Sequence, residues 1–356
     1  MPAVDRVTTA DGAARSALKD RVDAVLRGFV DEETALLLAV DAELAPVAEQ
    51  LRTATAYGKR LRAAFCYWGW RAAGQPDSDA LVRAAAAMEL VHAAAVVHDD
   101  LIDGSALRHG LPTAQFALRA AVSGRRRPAA ARSLALLVGD LLMSWAGQLF
   151  VSSGLPAAYL SRARPLWAAL ARELIAGECL EILRTGAVPD VRDSLKVIRY
   201  KTAKYTVEQP LLIGGALAGA SPDLREAFSD YGLPLGEAFQ LRDDLLGLFG
   251  ETARTGKANA DDITGRRPTV LLAETWSRAT PAERKHLKGL LGRRLDEDGL
   301  GEVRAIMGRT GAPERVEDMI AQRVRAATAV VEQTRLPADA THALTDLAAT
   351  AVHRRH

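Results

Sequence analysis

The sequence predicts an all-α protein, and three observations carry that prediction. Apolar residues recur at three- and four-residue spacing along most of the chain, the period of an amphipathic helix. The apolar share, 49% of 356 residues, is dominated by Ala and Leu, with aromatics at only 5%, a composition of high helix propensity. No stretch alternates apolar and polar residues as a half-buried strand or a hairpin would.

Taken in order, "DEETALLLAVDAELAPVAEQLRTA" (31–54) opens with acids that suit the positive end of a helix dipole. "DALVRAAAAMELVHAAAVVHDDLID" (79–103) contains no Gly or Pro and is apolar on nearly every side until its acids. It reads as a central helix buried all round. Residues 131–154, 159–186, 193–219 and 223–250 continue in the same manner, with Pro165, Pro210 and Pro234 expected to bend or interrupt them. Loops are signalled at 72–79, 108–113, 122–130 and 251–269. No composition shift marks a boundary, so a single domain over 1–356 is expected, with about residues 1–13 loose.

Charged residues at 25% and a formal net charge of +2 describe a globular chain with a large core, not a disordered tail or a nucleic-acid binder. Cys66 and Cys179 are too few for a disulfide framework and read as two buried thiols in a reducing compartment. The first residues carry no apolar leader, and no eighteen apolar residues run uninterrupted. No transmembrane segment is expected, and the chain reads as cytoplasmic.

The chemistry is concentrated in acids set against apolar helices. "HDDLID" places Asp99, Asp100 and Asp103 within five positions. On a helix Asp99 and Asp103 share a face at i,i+4. "EAFQLRDDLLGLFG" sets Asp243 and Asp244 in a similar position. Oxygen-rich sites of this kind suit Mg²⁺, which takes one or two carboxylates and completes its shell with water and substrate phosphate. Cations that phosphate would need are present: Lys59, Arg60 and Arg62 in "YGKRLR", Arg108, Lys201 and Lys204 in "RYKTAKY", and Lys257, Arg266 and Arg267 in "RTGKANADDITGRRPT". Each fragment alone is more often a solvated helix face than a site. Trp68 and Trp70 read as core packing.

The order of the fragments is specific. "GKRLR", "ELVHAAAVVHDDLIDGSALRHGLPT" with its DDxxD, "VGDLLMSWA", "YKTAKYT", "FQLRDDLLGLFG" and "TGKANADDITGRRPT" together resemble the trans-isoprenyl diphosphate synthases, the polyprenyl synthetase family, over about residues 57–273. The resemblance implies an isoprenoid synthase-type helical bundle around a deep cavity, usually a homodimer. It implies condensation of an allylic diphosphate with isopentenyl diphosphate. Three Mg²⁺ ions would be held by Asp99 and Asp103 on one wall and Asp243 on the other, with Asp100 in the same catalytic group. Arg108, Lys201, Lys257 and Arg266 would bind the allylic diphosphate. Lys59, Arg62, His92 and His109 stand at the isopentenyl diphosphate positions, and Thr202, Phe239 and Gln240 would line the space around the reacting carbons. Ionisation of the C–O bond would give an allylic cation, which the isopentenyl double bond attacks before a proton leaves.

The sequence departs from the family in places. The second aspartate-rich motif ends at Gly247 where an Asp is usual. His109 stands where a second Arg is usual, and an imidazole lacks the permanent bidentate charge of a guanidinium. This predicts weaker, pH-sensitive binding of isopentenyl diphosphate. Glu178 and Glu181 replace a usual Gln and Asp, read here as tolerated variants.

Product length in the family is set largely by residues just before the first motif. Ala95 and Ala94 are small, so the floor should lie deeper, toward Val91 and Met88, with Met143 and Trp145 on a neighbouring helix. The expected product is geranylgeranyl diphosphate, with farnesyl or a longer polyprenyl diphosphate as alternatives. A class I terpene cyclase on the same fold is a rival reading that Lys59, Arg62 and His92 oppose, since a cyclase has no isopentenyl site. A catalytically silent partner subunit is another, opposed by the intact first motif.

Overall fold

Helix dominates the chain as the periodicity predicts. The computed structural model describes residues 4–124, 126–250 and 261–352, with the backbone alone for 4–15 and 351–352. Its contacts divide into two units, Met1–Arg164 with Ile213–Ala220, and Pro165–Leu212 with Ser221–His356.

The first unit is built on α1 (Val4–Val40), α2 (Ala45–Ala56), α3 (Leu61–Ala72), α4 (Asp79–Asp103), α5 (Ala114–Ala117) and α6 (Arg127–Val151). α1 takes in most of the segment expected to be loose. Nothing after Pro2 is a strong helix breaker apart from Gly12, and a started helix gains one hydrogen bond for each residue added. α4 starts at Ser78, whose side chain accepts from the Leu81 N–H. It stops at Gly104, a left-handed C-cap with φ 69°, a conformation that costs glycine little.

Between those caps α4 is a core helix, with Leu81, Ala84 to Ala87 and Leu90 at 0% exposure. α4 and α6 are each long and apolar enough to cross a membrane by length and composition. However, 72% of the apolar window in α4 and 44% in α6 is buried inside the protein. α6 lies close on α4: a Cβ at Gly139 would fall 2.1 Å from the His98 ring.

One hairpin was not visible in the sequence pattern. β1 (Leu107–Arg108) pairs antiparallel with β2 (Leu111–Pro112). Two-residue strands are too short to show alternation. The linking residues His109 and Gly110 have φ of 51° and 77°, the positive values that a type I′ turn needs at both centres. Histidine is among the side chains that tolerate this region.

The second unit contains α8 (Val191–Ile198), a π-helical segment (Arg199–Glu208), α10 (Pro222–Phe249), α11 (Asp261–Thr264), α12 (Val270–Arg278), α13 (Pro281–Leu290), α14 (Glu297–Thr310), α15 (Ala312–Gln333) and α16 (Ala338–Val352). α7 (Ala157–Arg184) and α9 (Gln209–Ala218) complete the order. α7 and α10 run on through Pro165 and Pro234 without interruption. Pro210 instead sits at the start of α9, directly after the wide π turn. Trp70 is core, as read, with Nε1 donating to the Pro76 carbonyl at 2.7 Å. Cys66 is buried, but Cys179 is exposed, because it lies on the outward stripe of α7 with Ile175 and Ile182.

Candidate active site

In the first unit, the α4 cap puts its acids in the last turn. Asp103 is exposed, Asp99 partly so, and Asp100 is buried. Arg108, on the hairpin, reaches back to them. Its Nε donates to Asp100 at 3.1 Å and its Nη2 to Asp99 at 3.4 Å. Asp100 therefore faces Arg108 inside the protein, while Asp99 and Asp103 form the accessible pair. Gln115 of α5 also donates to the Asp100 carbonyl at 2.8 Å, an oxygen that already accepts from the backbone N–H groups of Gly104 and Ser105.

Lys59 is exposed and Arg62 is buried at the start of α3. Burial, followed by the fields of Arg62, Arg108, Arg60 and His109, holds the His92 pKa well below its usual value. His92 is thus neutral at physiological pH, a hydrogen-bonding group and not a charge. Arg60 is structural: it is buried, with Nε on Asp23 at 2.6 Å and Nη2 on the Thr55 carbonyl at 2.7 Å. His109 is exposed at the hairpin tip.

The second unit is organised by the π segment. A Cβ at Gly177 of α7 would fall 2.3 Å from the Lys201 nitrogen, and one at Gly236 of α10 would fall 2.5 Å from the Ala203 Cα. Both glycines let a neighbouring helix lie directly against the widened turn. Arg199, at the head of the turn, donates to Glu237 of α10 at 3.0 Å, and Arg323 of α15 meets the same carboxylate at 2.8 Å.

The turn presents Lys201 and Thr202. Lys201 pairs with Glu178 at 2.8 Å and, more closely, with Glu181. Glu178 and Glu181, read from sequence as tolerated variants, are therefore the partners of the expected phosphate-binding lysine. Thr202 donates to Gln240 at 2.8 Å, and Gln240 donates to Asp244 at 2.8 Å. Phe239 is buried beside them. Burial, then the charges of Asp262, Asp243 and Glu181, push Asp244 well above the usual carboxylate range, and the Gln240 amide offsets only part of this. Burial likewise raises Glu181, with Lys201 and Arg267 opposing. Asp243 is the more accessible acid of its pair.

Asp262 escaped the sequence reading, and Arg267 was counted among the available cations without a role of its own. A Cβ at Gly247, where the second motif lacks its last Asp, would lie 3.7 Å from the Asp262 carboxylate. An acid thus stands beside that position, supplied by α11. Arg267 pairs with Asp262 at 3.1 Å. Arg266, the expected phosphate ligand, is exposed in a left-handed conformation, and its guanidinium donates to the Leu291 carbonyl at 3.1 Å. Lys257 lies outside the described residues. Among the described residues no three carboxylate, imidazole or thiol side chains form a ready-made metal cage. The donors are hard oxygens grouped in pairs, as suits Mg²⁺ completed by substrate phosphate.

Residues 45–307 match the family described as Polyprenyl synthetase. The chain is 30% identical to octaprenyl diphosphate synthase of Escherichia coli over 267 residues, 73% of this chain and 76% of that one. It is 30% identical to geranylgeranyl diphosphate synthase of Saccharolobus solfataricus, over 67% of this chain and 68% of that one. A crystal structure of geranylgeranyl pyrophosphate synthase from Corynebacterium glutamicum, complexed with isoprenyl diphosphate and magnesium, superposes with a TM-score of 0.91. The two are 33% identical, with 95% of this chain and 99% of that one covered.

Gly177→Ala tests the packing of the π turn. Its methyl group has no room beside the Lys201 backbone, so the variant should lose about 1–3 kcal/mol in urea unfolding and at least tenfold in turnover. Gly28→Ala in α1, with nothing within 4 Å of its added methyl, should instead gain about 0.5–1 kcal/mol.

Proposed function

The chain belongs to the polyprenyl synthetase family, and from that premise we propose a single-domain, cytoplasmic, Mg²⁺-dependent geranylgeranyl diphosphate synthase that works as a homodimer. Prenyltransferase activity of the trans-prenyl diphosphate synthase type follows from the family. The twenty-carbon product, the ion and the residue roles are the proposal. One observation supports it most: each unit pairs a cation expected to bind phosphate with a cluster of carboxylates, Arg108 with Asp99 and Asp100, and Lys201 with Glu178 and Glu181.

Asp99, Asp103 and Asp243 would hold Mg²⁺, three ions in all, whose charge offsets that of the departing diphosphate. Arg108, Lys201 and Lys257 bind the allylic diphosphate, and Arg267 replaces Arg266 in that role. The fixed cations stabilise the charge that grows on the leaving oxygen as the C–O bond breaks, which is usually the largest catalytic contribution. Lys59, Arg62, His92 and His109 hold isopentenyl diphosphate. Its double bond attacks the allylic cation, and a proton passes to the released diphosphate. Apolar side chains, Phe239 among them, keep out the water that would otherwise capture the cation.

Ala94 is fully buried and Ala95 partly exposed on α4, with Val91 and Met88 buried further along the helix at 2% and 1% exposure. One helical turn, about 5.4 Å, matches roughly one isoprene unit, so a floor near Val91 and Met88 gives a product longer than fifteen carbons. Trp145 packs edge-to-face on Phe29 at 6.2 Å. The homodimer reading is supported by the outer faces of two helices. α6 exposes Leu136, Leu137 and Val151 at 47%, 53% and 66%, and α7 exposes Ile175, Ile182 and Leu183 at 55%, 49% and 80%.

Labelled isopentenyl diphosphate, incubated with each allylic starter and Mg²⁺, should yield a twenty-carbon diphosphate, and a chelator should stop incorporation. Asp99→Ala and Asp243→Ala should each lower turnover by about 10²–10³. Unaltered turnover in both, or hydrocarbon released from geranylgeranyl diphosphate alone, would refute the reading. Ala94→Phe should shorten the product; an unchanged chain length removes Ala94 from the floor. His109→Arg should lower KM for isopentenyl diphosphate at every pH tested, because a guanidinium keeps its charge throughout. An identical KM profile would dismiss a role for His109.

A further inference from the structure

The segment carrying Lys59 and Arg62 enters α3 without a cap of its own. Arg60 stands at the N-cap position in the left-handed region, with φ 54° and ψ 39°, and makes no side-chain cap hydrogen bond. The first intrahelical bond runs from the Ala64 N–H to the Arg60 carbonyl at 3.0 Å. The N–H of Ala63 precedes that bond and needs an outside acceptor. It donates at 2.9 Å to Oε1 of Glu89, a residue of α4 twenty-six positions along the chain. Glu89 is 3% exposed.

A buried carboxylate at the start of the helix that carries Arg62 is unfavourable for anion binding, since it opposes the charge of the ligand and must be desolvated. Its position therefore calls for a compensating role, and the hydrogen bond supplies one. Glu89 does from another helix what an Asp or Ser N-cap does locally, and its negative charge suits the positive end of α3. Glu89 and His92 are also i,i+3 on α4, on one face of that helix. The same short stretch of α4 thus fixes the start of α3 and presents His92. The other end of the loop is pinned by Arg60, which holds Asp23, the Tyr57 carbonyl and the Thr55 carbonyl.

We propose that Glu89 is a positioning residue for isopentenyl diphosphate, its carboxylate oxygen setting the register of Lys59 and Arg62 on α3 against His92 on α4. This rests on the reading that these three residues hold that substrate.

The test is steady-state kinetics with each substrate varied separately, for Glu89→Leu, Glu89→Gln and Arg62→Gln, together with hydrogen exchange at the Ala63 amide. Glu89→Leu should raise KM for isopentenyl diphosphate at least tenfold, leave KM for the allylic diphosphate within twofold, and speed exchange at Ala63. Glu89→Gln, which keeps an acceptor oxygen, should restore KM to within about threefold of the parent. Should Glu89→Leu not fold, Glu89→Asp, which withdraws the acceptor by about 1.5 Å, takes its place in the comparison. A folded Leu or Asp variant with unchanged KM, equal rises for both substrates, or a Gln variant as impaired as Leu would each overturn the proposal. An Arg62→Gln variant with unchanged KM for isopentenyl diphosphate would overturn instead the reading of the site. Exchange at Ala63 would still report whether Glu89 caps α3.

Discussion

Like charge crowded at the wrong end of a helix is the constraint on which the rest of the structure turns. Asp99, Asp100 and Asp103 occupy the last turn of α4, and Asp243 and Asp244 lie within two turns of the end of α10. A helix C-terminus is already negative, so carboxylates there are disfavoured by one another and by the backbone dipole. The protein offsets part of this with its own cations. Arg108 takes up Asp100, Lys201 takes up Glu178 and Glu181, and Arg267 takes up Asp262. Arg108 also reaches Asp99, while Asp103 is exposed and Asp243 half-buried.

Much of the scaffold follows from holding those charges still. Gly104 ends α4 where the acids need to be, and the hairpin turn at His109 and Gly110 returns Arg108 to them. In the second unit the glycines at 177 and 236 let α7 and α10 approach the widened turn that carries Lys201 and Thr202. Ion pairs from Arg199 and Arg323 to Glu237 fix that turn on α10 and α15. Close backbone approach and caps place these charged side chains as much as their own ion pairs do.

The long helices were legible because each buries a stripe, or in α4 nearly every side, and the apolar period shows it directly. The acids and most cations were legible because their order along the chain is that of a known family. Other features were not. The π turn has no composition of its own; its traces in sequence are Pro210 and glycines spaced along neighbouring helices, which single-sequence periodicity does not register. Arg266 and Arg267 are adjacent and alike in type, and only the left-handed backbone at Arg266 turns one guanidinium to a carbonyl and leaves the other with the acids. Glu178 and Glu181 looked like neutral substitutions because their partner Lys201 is twenty or more residues away. Cys179 looked buried because thiols usually are, yet it shares the exposed stripe of α7.

The most direct measurement of the charge account is thermal unfolding of the parent, Asp103→Asn and Asp243→Asn, each in chelator and in Mg²⁺ with inorganic diphosphate. If the acids are crowded for a cation, both variants unfold at or above the parent's Tm in chelator. The parent then gains several degrees with Mg²⁺ and diphosphate, as binding to the folded state requires, and the variants lose most of that gain. Variants less stable than the parent in chelator that keep the full Mg²⁺ response would contradict it.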